Sequence, residues 1–461
     1  MKRLLIILLL IGCSLSLYGC NKPSDDKEAV QNLNGTGESE VNVNQENADK
    51  NATDYKESFQ VQDIDFQPVD DKYLTDVYLK GLDFNPIRQV LDETEDGYYY
   101  FDRLSGRTMF YDKISKTSVI LCNKPNCEHD MLSDECSSYA SDYFGYYNGY
   151  LYTLTDDMNA EILMNNEFVT PEVVDYYLTR VKVDGTDQEI ITKLFTQYFE
   201  KMDNGQYKSS EYAYSYTFHR GYFYQFLCSQ YKDESIVSLK RWNLEKNHDE
   251  EVLLSQKLDT KLRLINGLRG FGPYIYFLDR RYYSDDLQEN DAKLCRVHID
   301  TGIIEELDMD PDFLDYFIMD GYMYYVVKPG NIVYKMNLET KETKLIIDTG
   351  DDTYLPYLSN ITIDEDYIYF HNLSHNLYDT GDYDKECRVY DKEGELVDII
   401  DLDGNNIFYD KVIGVSEDKL IIAWSSVEKG ISYDYYTLDK SQIGTGVHKL
   451  EKMIEAPEQA P

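Results

Sequence analysis

Four residues in one short stretch carry the most specific chemistry in the chain. They are Cys122, Cys127, His129 and Cys136, spaced Cys-x4-Cys-x-His-x6-Cys. Three thiolates and one imidazole form a donor set suited to tetrahedral zinc. The spacing is unusual for such a site, because the histidine stands two residues after a cysteine. The same residues permit a disulfide between Cys122 and Cys136, a bond expected outside the cytoplasm. Closing a loop of about 15 residues in this way contributes roughly 3 kcal/mol. A disulfide leaves one cysteine over; zinc does not. Both readings stand at this level. Cys228, Cys295 and Cys387 fall in or beside strand-like segments and read as small buried hydrophobes.

A second group is acidic and aromatic. His371 and His375 precede Asp379, Asp382 and Asp384, a set able to hold a divalent cation, calcium included. The run lacks the spacing of an EF-hand, so the simpler reading is an acidic surface loop. Tyr282, Tyr283 and Asp285 form a similar cluster. These eight residues are candidates for a binding face, and no cofactor is required by any of them. Carboxylate pairs fit for glycoside hydrolysis are too numerous to discriminate. The nucleophile-elbow, phosphate-loop and His-Glu-x-x-His patterns are absent from the sequence.

The charge balance narrows the partners. The formal net charge is −40, from 45 Lys+Arg against 85 Asp+Glu. That polyanion argues against nucleic acid and anionic lipid headgroups as direct ligands, and leaves proteins, cations and neutral glycans. Tyrosine is abundant, 44 of 461 residues, which favours pleated, half-buried surfaces.

The elements that must position these residues repeat along the chain. A turn followed by an aromatic-x-aromatic strand starts at Tyr98, Tyr150, Tyr222, Tyr274, Tyr322, Tyr367 and, in degenerate form, Lys419. Each copy leads to a second pattern, apolar-x-basic-apolar-x-apolar-acidic. Examples are Leu178 to Asp184, Leu239 to Glu245, Leu294 to Asp300 and Val333 to Glu339. A short polar turn and a last strand follow, as at Lys344 to Ile347. Period-two alternation and Asp-Gly or Asn-Gly turns mark antiparallel hairpins. Four strands in units of about 45–55 residues are the pattern of a propeller blade. The expected fold is all-β, a seven-bladed propeller of four-stranded antiparallel blades over residues 85–455, with a tail at 456–461.

The long connections at 156–175, 279–292 and 371–385, with inter-blade stretches 123–142 and 196–213, are expected on one face of the ring. Insertions gathered in that way build binding surfaces.

The repeat resembles YWTD-like and quinoprotein-like propellers, with Tyr-x-Tyr where the former carry Tyr-Trp-Thr-Asp. The tryptophan-docking repeats of the latter are missing, since Trp242 and Trp424 lie within strands. The whole chain resembles the β-propeller lipoproteins of anaerobic Gram-positive bacteria, which implies recurrence of cysteine–histidine boxes like the one above.

The N-terminus supports that resemblance. Lys2 and Arg3 precede an apolar run, Leu4 to Ile11, too short for a membrane span of about 20 residues. Leu17-Tyr18-Gly19-Cys20 then resembles a bacterial lipobox, which implies a signal peptide at 1–19 and a diacylated Cys20. Cys13 ends a second match, but apolar residues still follow it. Two acyl chains suffice for stable anchoring. Residues 20–60 read as a polar, acidic, disordered tether and 61–84 as a lead-in.

The expected function is non-catalytic: a monomeric cell-envelope lipoprotein, outside the cytoplasm, binding a protein, peptide or glycan through its long loops. A carbohydrate-active enzyme with a central-channel carboxylate site is the first alternative. An envelope assembly scaffold is the second.

Overall fold

The computed structural model describes the chain from Leu91 to Glu455. Residues 103–104, 128, 130–135, 141, 157–172, 202–206, 210, 232–233, 247, 258–261, 283–289, 308, 310–312, 328–331, 351–360, 372–385, 402–410, 416–417 and 426–432 are outside that description. The signal-peptide, tether and lead-in segments, Cys20 and the tail also lie outside it.

The described chain is a seven-bladed propeller, and every sheet is drawn from one unbroken stretch of sequence. Blade 1 is β1 (Leu91–Glu93), β2 (Gly97–Asp102), β3 (Arg107–Asp112) and β4 (Thr117–Ile120). Blade 2 is β5 (Asp142–Tyr147), β6 (Tyr150–Asp156), β7 (Val173–Lys182), β8 (Glu189–Lys201) and β9 (Tyr207–Ser209). Blade 3 is β10 (Glu211–His219), β11 (Tyr222–Tyr231), β12 (Glu234–Asn243) and β13 (Glu250–Lys257). Blade 4 is β14 (Leu262–Phe271), β15 (Tyr274–Tyr282), β16 (Asn290–His298) and β17 (Ile304–Leu307). Blade 5 is β18 (Phe313–Met319), β19 (Tyr322–Val327), β20 (Ile332–Asn337) and β21 (Thr343–Asp348). Blade 6 is β22 (Ile361–Ile363), β23 (Tyr367–His371), β24 (Glu386–Asp391) and β25 (Leu396–Asp401). Blade 7 is β26 (Lys411–Val415), β27 (Lys419–Ser425), β28 (Tyr433–Asp439) and β29 (Glu451–Ile454).

The first-to-second-strand turns follow from their residues. Asn148-Gly149, Arg220-Gly221 and Asp320-Gly321 all take positive φ at both positions, from 49° to 89°. Paired left-handed residues match the twist of the flanking strands, and glycine makes the second position cheap.

The core lies between blades. On β15, Ile275 and Phe277 pack with Phe226 and Leu239 of blade 3, while Tyr274 and Tyr276 pack with Tyr316 and Tyr325 of blade 5. The second strand is therefore buried on both faces, which explains why it carries large apolar residues such as Leu151, Ile275, Met323 and Ile368 at x positions as well. The same two-sided packing joins blades 2 and 3 through Phe223 and Trp242. Blades 5 and 6 meet through Tyr324 and Ile368, and blades 6 and 7 through Tyr369 and Leu420.

Three sequence expectations need correction. Residues 196–213 are not a long loop. β8 continues to Lys201, and β9 pairs back onto it as a fifth strand of blade 2. Residues 279–282 and 290–292 are ladder rather than loop, because β15 runs on to Tyr282 opposite Asn290, which narrows the connection to 283–289. Blade 1 is out of step by one: Gly97, not Tyr98, stands opposite the last residue of the third strand, Asp112. A Cβ on Gly97 would meet the Tyr111 carbonyl at 2.1 Å, so the tyrosine that opens other blades cannot fit there.

Candidate metal centre

The cysteine–histidine stretch begins just past the end of the outer strand, β4, which covers only part of β3. Leu121 N–H still donates to the Thr108 carbonyl at 3.0 Å, and the chain then turns away. It returns at 136–140 to the same edge. Thr108 N–H donates to Ser138 O at 2.8 Å, Tyr139 bridges Arg107, and Ala140 N–H donates to Gly106 O at 3.2 Å. The outer edge of β3 is thus shared by β4 and the returning segment. Both ends of the excursion are fixed on one strand, which brings Cys122 and Cys136 close. Ser137 Oγ donates to the Gly185 carbonyl at 3.2 Å, tying the segment to the β7–β8 turn of blade 2. That turn is at the end of the ring opposite the second-to-third-strand connections, so 123–142 does not simply join the long loops.

One donor atom from each of Cys122, Cys127, His129 and Cys136 lies within 4.8 Å of the others. The three cysteines are free thiols, with no bond between Cys122 and Cys136. His129 Nδ1 and Cys136 Sγ are 3.5 Å apart. With zinc–sulfur and zinc–nitrogen bonds of about 2.3 and 2.0–2.1 Å, a tetrahedral edge between such ligands is also about 3.5 Å. Asn126 and His129 sit at φ +59° and +54°, the tight local turns that aim side chains inward.

The surroundings favour thiolate at Cys122. Burial opposes ionisation of Cys122, but hydrogen bonds from Ser137 and from the Lys124 N–H outweigh it and bring the thiol down to about 6. At Cys127 the His129 N–H favours the thiolate, yet burial and the neighbouring Cys136 and Cys122 sulfurs push the thiol up. Three mutually close sulfurs cannot all ionise without a cation among them. Cys136 is 1% exposed, and its sulfur lies 3.0 Å from Ser138 Oγ, within hydrogen-bond reach. The donor set fits zinc, and the four residues would fill all four positions of a tetrahedron. Such closure is the mark of a structural site rather than a catalytic one.

The other candidates are placed less fully. Tyr282 ends β15 and His371 ends β23, both where the chain enters a second-to-third-strand connection. Tyr283, Asp285, His375, Asp379, Asp382 and Asp384 lie outside the described residues. Cys228, Cys295 and Cys387 are buried in the inter-blade cores. Among the described residues, no helix is long and apolar enough to cross a membrane.

The sequence shows the basic residue of the third strand but not its structural role. Arg180 Nη1 donates to the Leu244 carbonyl at 3.0 Å and Arg241 Nη1 to the Ile299 carbonyl at 2.8 Å. Lys335 Nζ donates to the Lys392 carbonyl at 3.2 Å. Each thereby brackets the next blade. The signal was present as the recurring basic position, but its reach to the neighbouring blade needs three dimensions.

No protein-family model matches the sequence, and no curated protein matches it. Solved structures resemble it in fold. A dipeptidyl peptidase 4 of Porphyromonas gingivalis is 12% identical with a TM-score of 0.40, over 84% of this chain and 56% of that one. A prolyl endopeptidase is 10% identical with a TM-score of 0.43, over 84% and 50%. This chain thus spans about half the length of those peptidases. A putative 6-phosphogluconolactonase of Bacteroides fragilis is 13% identical with a TM-score of 0.41, over 79% and 93%.

Proposed function

We propose that the chain is a lipid-anchored, extracytoplasmic binding propeller that captures a protein, peptide or glycan at one end of its ring. The observation that carries this reading is the unequal length of the connections at the two ends. First-to-second-strand turns are short, as at 148–149, 220–221, 272–273 and 320–321, and the third-to-fourth-strand connections at the same end are short except 440–450 in blade 7. The connections 157–172, 283–289, 372–385 and 426–432 all join second to third strands, and 351–360 and 402–410 join successive blades. In an antiparallel blade all of these fall at one end. Long connections on a rigid scaffold are where binding surfaces are built. The lipobox-like Leu17-Tyr18-Gly19-Cys20 supports the anchor, with Cys20 as its lipidated residue.

In the same reading, Cys122, Cys127, His129 and Cys136 hold a structural zinc ion that clasps the blade 1 excursion. No catalytic step is assigned to it. Metal would orient the four side chains and replace the mutual repulsion of close thiolates with attraction.

The test of binding is a glycan and peptide array probed with the soluble propeller, followed by replacement of 372–385 and 157–172 with two-residue turns. The proposal expects capture by the parent and loss of it in the loop-replaced, still folded variant. Equal capture by both would sink it.

A further inference from the structure

The repeat itself shows where blade 5 departs from the three blades before it. In blades 2 to 4 the third-strand arginine stands opposite a fourth-strand glutamate, and the two pair. The pairs are Arg180 with Glu189, Arg241 with Glu251 at 2.6 Å, and Arg296 with Glu305 at 2.5 Å. In blade 5 the register places Lys335 opposite Lys344. The carboxylate of the repeat has become a second ammonium.

A second departure meets the first. The residue after the third strand is apolar in blades 2 to 5: Val183, Leu244, Ile299 and Leu338. In blades 1, 6 and 7 it is Lys113, Lys392 and Lys440. Lys113 has Glu93 at 2.7 Å, and Lys440 has Asp364 at 2.8 Å. Asp364 stands at the end of the first strand of blade 6. The matching position of blade 5, one residue past the Ile318–Met323 pair, is Met319. Lys392 Nζ accordingly meets Met319 Sδ at 3.3 Å where its counterpart meets a carboxylate.

Lys335, Lys344 and Lys392 line one cavity of about 520 Å³ at the junction of blades 5 and 6, beside the Tyr322 ring. Lys335 Nζ lies 4.7 Å from that ring's centre. Glu342 and Glu393 also line the cavity, and Glu393 reaches Lys335 at 3.5 Å, so three cations face two anions. Asp320, Asp364 and Asp366 act on Lys392 from farther away, against its burial and the charge of Lys335, and the balance leaves the ammonium easier to deprotonate, near 8. Among the lining side chains alone, positive charges outnumber negative ones by one, in a protein of net charge −40.

We propose that this groove binds a small organic carboxylate, which takes the place that Glu189, Glu251, Glu305 and Asp364 fill elsewhere in the ring. Three lysines against two glutamates in the lining, with aspartates just beyond, suit a monoanion better than a phosphate dianion. The volume falls in the range of small-molecule sites, about 300–1,000 Å³. The site stands at the short-turn end of the ring, opposite the long connections, so it is separate from the capture surface proposed above.

Neighbouring blades supply the variants for the test. Lys344→Glu recreates the pair of blades 2 to 4, Lys392→Leu recreates the apolar position of blades 3 and 5, and Met319→Asp gives Lys392 the counter-ion of Lys440. Each is a residue the same fold already accepts at the matching place. Calorimetric titration of the full propeller with acetate, glutamate, citrate and inorganic phosphate is the measurement. The proposal expects saturable binding of at least one carboxylate, tighter than phosphate, weakened at least tenfold in Lys392→Leu and in Met319→Asp. It is overturned if no carboxylate binds, if phosphate binds more tightly, or if the folded variants bind as the parent does.

Discussion

The rings of Tyr100, on the second strand of blade 1, and Tyr435, on the third strand of blade 7, lie with centroids 5.8 Å apart and planes tilted by 55°. First and last blades are therefore neighbours, and the ring is closed by side-chain packing rather than by a sheet shared between them. Both residues are buried, at 7% and 3% exposure. Truncating a large buried side chain costs roughly 3–5 kcal/mol. Tyr100→Ala is expected to lower stability by about 3 kcal/mol, and Tyr435→Ala by a similar amount. Because the two share one contact, the double variant should fall short of the sum. Urea unfolding of the three variants checks this, and full additivity would show that the seam does not couple them.

Arg296 and Glu305 form a pair whose side chains are only 3% and 5% exposed. Removing one partner strands a buried charge. Glu305→Leu alone is expected to destabilise by about 3–5 kcal/mol, whereas Arg296→Met with Glu305→Leu should recover most of the loss. Chemical denaturation distinguishes this from ordinary loss of packing, in which the second substitution adds to the first.

Zinc at the cysteine–histidine centre is expected to stabilise by mass action. Free metal at about 100 times its dissociation constant contributes roughly 2.7 kcal/mol. Elemental analysis should find one zinc per chain, and chelation should lower the melting temperature. Cys136→Ser should abolish both the metal content and the effect of the chelator. A parent protein free of zinc after purification in its presence, with a chelator-insensitive melt, would contradict the assignment.

Lys392 carries a pH signature. Burial, its largest influence, together with Lys335, outweighs Asp364, Asp320 and Asp366 and holds its ammonium down to about 8. The unfolded chain, with a lysine near 10.4, binds the proton more tightly. Between about pH 8 and 10.4 the unfolded state then holds more protons, so this group's contribution to stability rises with pH. Below about 8 its destabilising effect is full. Lys392→Met is expected to be more stable than the parent at pH 7, by roughly 1–2 kcal/mol, and to lose that advantage by pH 10.5. Unfolding curves at the two values decide it.

The ring was legible in the sequence because its stability is periodic. Six of the seven expected starts coincide with a second-strand start, from Tyr150 through Lys419, since a strand buried on both faces needs aromatic residues at fixed spacing. Blade 1 slipped by one because three consecutive tyrosines, Tyr98 to Tyr100, offer no local cue to register; the contact of Gly97 with Tyr111 decides it. The fifth strand of blade 2 was missed because 200–211 is rich in polar residues and Gly, which reads as a loop in sequence. Cys122 through Cys136 were legible as a donor set, but their convergence depends on both ends returning to β3, a pairing no local pattern encodes. The lysines of the blade 5–6 groove were invisible as a group. Lys335 and Lys392 are far apart in sequence, and each becomes unusual only beside its counterparts in other blades.

A chain whose every sheet is completed before the next begins has no step at which its two ends must be woven together. Blades can therefore form in order during synthesis, and the seam between Tyr100 and Tyr435 comes together last. It also makes the starting point of the ring arbitrary. Joining the ends across that seam and reopening the chain between blades 5 and 6 would leave every ladder intact, and a circularly permuted ring of this kind should still fold.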